Sequence, residues 1–450
     1  MILIKNATLI TGGINSRIIA NGAILIDGEK IVAVGTEKSI KKKIGQRKIT
    51  VLDAQQRPVM PGFICAHHHL YSTFARGMKV AGEPAKNFGE ILEKLWWLLD
   101  RNLDSREFIY QSSRPPLIEC IRSGTTTIID HHESQGKQLN SLDYIQQAIE
   151  ETGIRACLSL GVSDRYGRAE EGLAENERYL KKITSSNNQR LQAMVGLHAS
   201  FTVSNETLRR AVALASKFGV GIHTHCAEDR SDQLISEEKY QQRVVERFYQ
   251  YGALTEKTIL AHGIHLNNHE LQLIQATGAI IVHNPESNMN NAVGTANVLK
   301  MLEKEILVGL GTDGMSSNML QQMRCAYLLQ RNFYGDPRIF FVEAPKILLD
   351  NNARIAQRIF GAKIGYLEPD YLADIIILDY LPPTPLKSEN FLGHLLFGLV
   401  NAPVDTTIVA GRILMKNKKL TIIDEEKVLA QSRQTAKKFW AKINGERKGQ

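Results

Sequence analysis

The chain has 450 residues, of which 43% are hydrophobic and 23% are charged. That composition is typical of a folded globular protein and excludes a mainly disordered or collagen-like chain. The formal net charge is +8, but the basic stretches at residues 41–48 and 437–448 have little of the aromatic interleaving that nucleic-acid readers use, so we expect solvated faces and no nucleic-acid partner.

Both ends of the chain are rich in short β-strand signals. The segments MILIKNATLI and GAILIDGEKIVAVG near the start alternate β-branched and polar residues, and Asp27–Gly28 between two such runs is a hairpin signal. Near the end, ADIIILDY and DTTIVAGRILMKNKKLTII have the same character. We therefore expect residues 1–58 and 367–450 to form one small β-sandwich domain built from both termini.

The middle of the chain, residues 59–366, alternates short apolar runs with segments of helical period. This alternation predicts an α/β fold with parallel strands and crossover helices, and eight runs point to a (β/α)8 barrel, or TIM barrel. A long first interval containing EILEKLWWLLDRNL predicts an inserted lid. The eight runs are VMPGFICAHH, TTTIID, RACLSLGVS, LQAMVGLH, VGIHTH, TILAHG, AIIVHN and ILVGLGTD.

Histidines gather where these runs end, and the chemistry of such barrels lies at the C-terminal ends of the strands. A scattered, structural population of histidines would have no reason to cluster in this way. For His68, His223 and His283 taken singly, an interior imidazole bonded to a backbone carbonyl remains an open interpretation. Ten of the 13 histidines lie at or beside a predicted strand end: His67, His68, His69, His131, His132, His198, His223, His225, His262 and His283.

Four of these strand-end groups have the chemistry of a metal site. His67 and His69 are two apart on a strand, so alternation directs both imidazoles to the same face. Asp313 ends a very apolar strand and needs a partner, and His225 can supply a third nitrogen. Three imidazoles and a carboxylate suit one Zn²⁺, with Fe²⁺ as the alternative, and they leave room for water.

The neighbouring polar residues suggest acid–base roles. Glu228 follows His225 by three positions, where a carboxylate could shuttle protons without binding the metal. His262 could orient or deprotonate a water, and His198 could do the same or hold the substrate. Bridged two-metal barrels commonly use a carboxylated lysine at a strand end, but the fourth run has His198 there, so we expect one metal.

These motifs together resemble the amidohydrolase superfamily, in its mononuclear aminohydrolase branch of triazine-hydrolase-like proteins. The similar segments are PGFICAHHHL, HCAE, AHGIHL, NPESNMNN and GTDG, in the order of the strands. AHHH and DHHES are most similar to the SsnA-type aminohydrolases. Within the motif of the first strand, two residues differ from the pattern of the branch: Cys65 replaces a common Asn, and His68 replaces a small residue.

The resemblance implies a role for each matching residue. It implies metal binding by His67, His69, His225 and Asp313, proton transfer by Glu228, activation of the nucleophile by His262 and substrate contact by His198. His131 and His132 are unusual for the branch and are expected either behind the metal or at the substrate. By the same analogy, the protein would be a homodimer.

The chemistry we expect is hydrolytic deamination of a purine-, pyrimidine- or triazine-like ring with release of ammonia. Asp313 would accept a proton from the attacking water, and Glu228 would protonate the ring nitrogen. Trp96 or Trp97 could stack on a planar substrate, or belong to the core. One alternative is hydrolysis of a cyclic amide or amidine that opens a purine- or hydantoin-like ring, and another is an inactive scaffold.

The compartment follows from the cysteines and from the apolar runs. Five scattered cysteines without a C-x-x-C pair argue against a disulfide framework. No run approaches the roughly 20 apolar residues that span a bilayer, and no signal-peptide pattern is evident. We therefore expect a cytoplasmic protein with no membrane partner.

Overall fold

The computed structural model describes residues 1–44, 49–80, 82–186 and 188–448, so part of the first basic stretch, residues 45–48, lies outside the description. Its strands fall into two sheets, one built from both ends of the chain and one from the middle. The strands are β1 Ile2–Ile10, β2 Ile18–Asp27, β3 Lys30–Thr36, β4 Thr50–Asp53, β5 Pro58–Pro61, β6 Phe63–His68, β7 Thr125–His132, β8 Arg155–Val162, β9 Leu191–Ala193, β10 Val195–Ala199, β11 Ile222–Cys226, β12 Ile259–His262, β13 Ile280–His283, β14 Val308–Leu310, β15 Ile375–Leu378, β16 Val404–Val409, β17 Arg412–Lys416 and β18 Lys419–Leu420.

Helices connect most of the barrel strands and flank the sheets. A π-helical turn, Leu92–Trp96, joins α2 to α3 within the segment expected to be a lid. The α-helices are α1 Glu37–Ile44, α2 Phe88–Ile91, α3 Trp97–Asn102, α4 Arg106–Ser123, α5 Ser141–Thr152, α6 Ala169–Thr184, α7 Asn205–Phe218, α8 Arg230–Tyr240, α9 Val244–Gln250, α10 Asn268–Thr277, α11 Pro285–Asn290, α12 Val298–Glu303, α13 Met319–Tyr334, α14 Glu343–Lys346, α15 Asn352–Phe360, α16 Phe391–Phe397 and α17 Glu425–Lys448.

The terminal β-sandwich domain is paired in the order β18-β17-β16-β15-β5-β1-β2-β3, with β4 beside β1. Strands β1 and β2 are antiparallel, with Ile2 opposite Ile26 and Ile10 opposite Ile18. Strand β5 pairs parallel with β1 and antiparallel with β15, so it joins the two ends of the chain. The sheet therefore takes in residues up to Pro61, three past the expected boundary.

The second sheet is a nearly closed barrel of eight parallel strands in the order β6-β7-β8-β10-β11-β12-β13-β14, with β9 beside β8. Its strands are buried on both faces, as expected for parallel strands covered by helices. Closure comes from a parallel bridge between His68 and Asp313, and Thr312 N–H donates to the carbonyl of His67 at 3.0 Å. The predicted fold class is confirmed.

One predicted segment is divided: the run VMPGFICAHH forms β5 in the terminal sheet and β6 in the barrel. Gly62 between them approaches the next strand so closely that a Cβ there would lie 2.2 Å from Thr126 Cγ2. Further along the chain, Gln241 has a φ of +56° and ends α8, after which α9 begins.

A buried ion pair joins the two sheets. Arg155 at the start of β8 is fully buried, and its Nε and Nη2 donate to the Asp374 carboxylate at 2.9 and 3.3 Å. Asp374 Oδ1 also accepts from the Ala410 N–H at 2.7 Å. Asp374 immediately precedes the terminal-sheet strand β15 by sequence, so the pair fixes the sheet on the barrel. Among the described residues, we find no helix long and apolar enough to span a bilayer.

Candidate metal centre

The carboxyl ends of four barrel strands bring imidazole and carboxylate groups together. His67 and His69 come from the end of β6, His225 from β11, His262 from β12 and Asp313 from the loop after β14. Single ligand atoms of His67, His225, His262 and Asp313 all lie within 4.8 Å of one another. Asp313 Oδ1 also lies 2.9 Å from His69 Nε2 and 3.6 Å from His67 Nε2.

The close approach of His69 and His225 is the strongest electrostatic argument for a bound cation. Their Nε2 atoms are 3.1 Å apart. Each ring already donates its Nδ1–H to a backbone carbonyl, His69 to that of His131 and His225 to that of His198. In neutral rings both Nε2 atoms therefore carry lone pairs that face each other, and a positive ion between or beside them removes that repulsion.

Two further nitrogens of the cluster have no hydrogen-bond partner among the described residues. They are the buried Nε2 atoms of His67 and His262. The other ring nitrogens are engaged, since His67 Nδ1 shares a hydrogen bond of 2.8 Å with His223 Nε2, and His262 Nδ1 lies 2.8 Å from Asn288 Oδ1. Buried polar atoms without partners are costly, so this donor set fits a divalent cation bound by nitrogen and carboxylate oxygen.

The backbone is strained where three of these strands end. His262 has a φ of +76° and Asp313 a φ of +53°, while Ala227, between His225 and Glu228, has a φ of +48°. Residues with a Cβ avoid this left-handed region, and such strain gathers at functional sites. Here it directs side chains from three separate loops toward one point.

Burial and the nearby carboxylate act differently on the three imidazoles. Burial lowers the pKa of His67 to about 4 and lowers that of His225 well below its ordinary value, so both rings are neutral near pH 7. Burial also opposes the charged form of His69, but the adjacent Asp313 carboxylate outweighs it and raises the pKa of this ring to about 9. Burial likewise opposes the ionised form of Asp313, but the imidazoles of His67 and His69 beside it outweigh burial and leave its pKa well below the usual range.

Glu228 has the opposite tendency. Burial, reinforced by the negative charge of Asp313, raises the pKa of its carboxyl well above the ordinary value. Its Oε2 lies 3.5 Å from His262 Nε2, and its Oε1 accepts from Asn291 Nδ2 at 3.4 Å. A carboxyl group that holds its proton beside neutral imidazoles is suited to general acid–base chemistry.

A cavity opens directly onto this cluster. Its empty space, with the open solvent at its mouth included, is about 580 Å³. Its polar wall includes His69, His198, His225, Glu228 and Asp313, and much of the remaining lining is apolar. The apolar wall consists of Tyr71, Phe88, Leu92, Trp96, Ala199 and Phe201.

Trp96 and Trp97 lie in different places. Trp96 lines the cavity, whereas Trp97 lines a neighbouring cleft, where the Arg165 guanidinium lies 4.8 Å from its ring centroid. Consecutive residues of a helix point about 100° apart, which directs the two rings to different sides of the segment. Trp97 still approaches the site indirectly, with its ring centroid 6.5 Å from that of His198.

His131 and His132 are fully buried behind the cavity and do not line it. The His131 carbonyl accepts from His69 Nδ1, and its ring Nε2 donates to the carbonyl of Leu197 at 3.0 Å. Neither ring nitrogen of His132 has a hydrogen-bond partner among the residues described. The nearby His198 does line the cavity, and its Nδ1 lies 2.8 Å from Thr202 Oγ1.

Helix α11 adds three contacts that the sequence analysis missed. Ser287 Oγ donates to Asp313 Oδ2, Asn288 Oδ1 accepts from His262 Nδ1, and Asn291 Nδ2 donates to Glu228. The signal was present in NPESNMNN, where a proline begins a short helix and Ser287 and Asn291 are one turn apart. What the pattern could not show is that this face meets three other loops.

Full-length relatives match this chain. One is the 5-methylthioadenosine/S-adenosylhomocysteine deaminase of Pelotomaculum thermopropionicum, 32% identical over 441 residues that cover 97% of this chain and 98% of the relative. The 5'-deoxyadenosine deaminase of Methanosarcina mazei is 30% identical over 449 residues, covering 98% of this chain and 99% of the relative. The crystal structure of an adenosine deaminase from Xanthomonas campestris with bound Zn is similar in fold, with a TM-score of 0.85, 20% identity and coverage of 99% and 98% of the two chains.

A model of the amidohydrolase family matches residues 59–414, which include every strand of the barrel. The predicted resemblance to this superfamily is therefore confirmed, whereas the closer likeness to the SsnA-type subgroup stays a prediction. The relatives, named as deaminases, also bear out the expected enzyme class. The chain is a hydrolase acting on carbon–nitrogen bonds, and it belongs to the amidohydrolase family.

Proposed function

We propose that this protein is a metal-dependent aminohydrolase that removes the exocyclic amino group of an adenine-type ring carried by a nucleoside or a 5'-substituted nucleoside. The observation that carries the proposal is that a cluster of imidazoles and the Asp313 carboxylate opens onto one cavity, whose polar lining also contains the acid–base candidate Glu228. Relatives aligned over nearly the whole chain are named as deaminases of adenosine derivatives, which supports the choice of ring.

In this proposal the metal is a single zinc ion held by His67, His69, His225 and Asp313. Nitrogen and carboxylate donors suit zinc and also ferrous iron, and the bound zinc in a structural neighbour favours the first. When bound, such an ion acts as a Lewis acid and lowers the pKa of water toward neutrality. The remaining chemistry belongs to side chains of this chain.

Glu228 is the proposed proton shuttle. Because its pKa is raised, it holds a proton that it can donate to the ring nitrogen beside the carbon that bears the amino group. Protonation there makes that carbon electrophilic toward water. Once the carboxylate has formed, it can take a proton from the attacking water and pass it to the departing amine, which leaves as ammonia.

His262 and Asp313 complete the proposed proton pathway. Asn288 Oδ1 accepts the Nδ1–H of His262, which leaves Nε2 free as an acceptor for the attacking water. Asp313 Oδ2, held by the Ser287 hydroxyl, can accept a proton from the same water. His262 Nε2 lies 3.5 Å from Glu228 Oε2 and 3.9 Å from Asp313 Oδ2, so one water could contact all three groups.

Substrate contacts are proposed on both walls of the cavity. His198 would hydrogen-bond the heterocycle from the polar wall, and Trp96 would pack against its face from the apolar wall. Trp97 would contact a part of the substrate that extends into the neighbouring cleft. For His131 and His132 we propose a supporting place behind His69, in view of the contact of the His131 carbonyl with that ring.

The test is metal analysis followed by an assay with metal-replete protein. We expect about one zinc per chain, and stoichiometric ammonia with the corresponding hydroxylated product from 5'-deoxyadenosine, 5'-methylthioadenosine or S-adenosylhomocysteine. A panel with guanine, cytosine and an amino-triazine compares the other ring classes. Ring opening without ammonia would replace deamination by the cyclic amidine alternative, and no turnover of any compound by zinc- or iron-loaded protein would refute the proposal.

We also propose a cytoplasmic homodimer. All five cysteines are free thiols and four of them are buried, which agrees with a reducing compartment. Exposed apolar residues on neighbouring helices, such as Leu328 on α13 and Phe397 on α16, are candidates for subunit contact. Light scattering gives the mass, and charged substitutions at these two positions should reduce it to that of one chain.

A further inference from the structure

The short loop between β11 and α8 determines where Glu228 lies. It begins after Cys226 and contains Ala227, whose φ of +48° is unusual for a residue with a Cβ. The Ala227 carbonyl accepts from the N–H groups of Ile264 and His265, both at 3.0 Å. These two hydrogen bonds, through the Ala227 carbonyl, fix the loop to the loop that follows β12.

On its other side, Ala227 is held by an acidic side chain. Its N–H donates to Asp232 Oδ2 at 2.7 Å, a short bond to a carboxylate. Asp232 lies in the first turn of α8, is 2% exposed and lines the same cavity as Glu228. Its Oδ1 is buried and has no hydrogen-bond partner within the described part of the chain.

Helix capping does not account for Asp232. The cap of α8 is Asp229, whose Oδ1 accepts from the Ser231 N–H at 2.9 Å and from the Ser231 hydroxyl at 2.6 Å. Asp232 instead reaches back past the cap to Ala227. Burying a carboxylate is costly, and the hydrogen bond that Asp232 accepts comes from the N–H of Ala227, the residue before Glu228.

We propose that Asp232 is a positioning residue for Glu228. By accepting the Ala227 N–H, it keeps Ala227 in the left-handed conformation and so fixes the direction from which the Glu228 carboxyl enters the cavity. This inference rests on the proposed function, because the role it supports is the proton transfer assigned to Glu228. It adds a residue that acts through the backbone and not through contact with the reacting atoms.

The test compares two substitutions that differ in one hydrogen bond. Asp232→Ala removes the acceptor, and we expect kcat per bound metal to fall about 10- to 100-fold, as for misplaced supporting residues, with KM changed less than about threefold. Asp232→Asn keeps an amide oxygen that can accept the Ala227 N–H but has no charge, and we expect it to recover most of that loss. Asp229→Asn is the matched control, because it also removes a negative charge from the start of α8 but does not touch Ala227.

Two readouts separate positioning from a general loss of stability. Zinc content should stay at the wild-type value in all three variants, and the crystal structure of Asp232→Ala should show Ala227 outside the left-handed region with Glu228 displaced. In addition, Asp232→Ala should cost less kcat in an Ala227→Gly background, because glycine adopts a positive φ without the anchor. If Asp232→Ala does not fold, Asp232→Asn and its pH profile still test the idea, since the profile should match that of the wild type.

Several results would overturn the proposal. Wild-type kcat in metal-replete Asp232→Ala would do so, and so would an Asp232→Asn variant as slow as Asp232→Ala with an altered pH profile, because Asp232 would then act by its charge. A crystal structure with an unmoved Ala227 would do the same. Failure of the wild-type protein to release ammonia from any substrate refutes the proposed function instead, and the conformation of Ala227 in the crystal remains a test of the anchor itself.

Discussion

The Ser287 hydroxyl offers the sharpest single test of the metal site. It donates to Asp313 Oδ2, and among the described residues it is the only hydroxyl hydrogen-bonded to the side chain of this proposed ligand. A hydrogen bond to a charged group contributes about 1.5–3 kcal/mol, and every 1.4 kcal/mol corresponds to a tenfold change in affinity. We therefore expect Ser287→Ala to weaken zinc binding by roughly 10- to 100-fold, in the range seen for supporting residues of metal sites.

The measurement is a competition titration of apoprotein with zinc and a chromophoric chelator at constant pH. Ser316→Ala is the control, because Ser316 donates to Glu286 at 3.4 Å and touches no group of the metal set. Far-UV circular dichroism establishes that both variants are folded. A zinc affinity of Ser287→Ala within threefold of the wild type would show that the hydroxyl does not support Asp313, and the reasoning from its hydrogen bond would be wrong.

Three other predictions concern proton transfer, acid sensitivity and stability. Glu228→Gln should keep its zinc but lose about 10²- to 10⁴-fold in kcat, measured by ammonia release, because an amide cannot shuttle protons; retained turnover would remove Glu228 from this role. Burial lowers the pKa of His67 from 6.5 to about 4, whereas Asp313 outweighs burial and raises that of His69 to about 9. Zinc affinity should therefore fall by about tenfold per pH unit below pH 9, because His69 loses one proton on binding, and more steeply only when the pH falls toward 4; a pH-independent affinity between pH 6 and 8 in the competition titration would contradict this. Asp374→Ala leaves the Arg155 guanidinium buried without its carboxylate partner and should destabilise the protein by about 3–5 kcal/mol in denaturant unfolding. Asp379→Ala removes a carboxylate that pairs with Lys418 and Arg57 nearer the surface and should cost less, about 1–2 kcal/mol.

The barrel could be predicted because its strands leave a strong signal. Parallel strands that are buried on both faces must be almost entirely apolar, so a polar residue in or after such a run marks the end of the strand. In this way the positions of His225, His262 and Asp313 followed from the sequence, and the His67–His69 spacing gave the shared face. The proposed ligand and acid–base roles of these residues remain predictions until they are tested by substitution.

The parts that could not be predicted depend on contacts between distant segments. Whether residues 59–68 form one strand or two depends on how closely Gly62 approaches Thr126, which is a property of the packed barrel. The contact of Ser287 with Asp313 depends on the placement of α11 over the barrel mouth. Trp96 and Trp97 are adjacent in sequence, and residue types alone do not reveal which of two neighbouring positions faces the cavity and which faces the cleft.

The long helix α17 has a consequence for biosynthesis. Its Trp440 Nε1 donates to the Phe74 carbonyl at 2.7 Å, and its Phe439 ring lies 5.4 Å from that of Phe74, in the turn that follows His69. At roughly 5–20 residues per second, a ribosome takes tens of seconds to proceed from Phe74 to Trp440. The histidines at the end of β6 would therefore be synthesised long before α17 can pack against the turn that follows them.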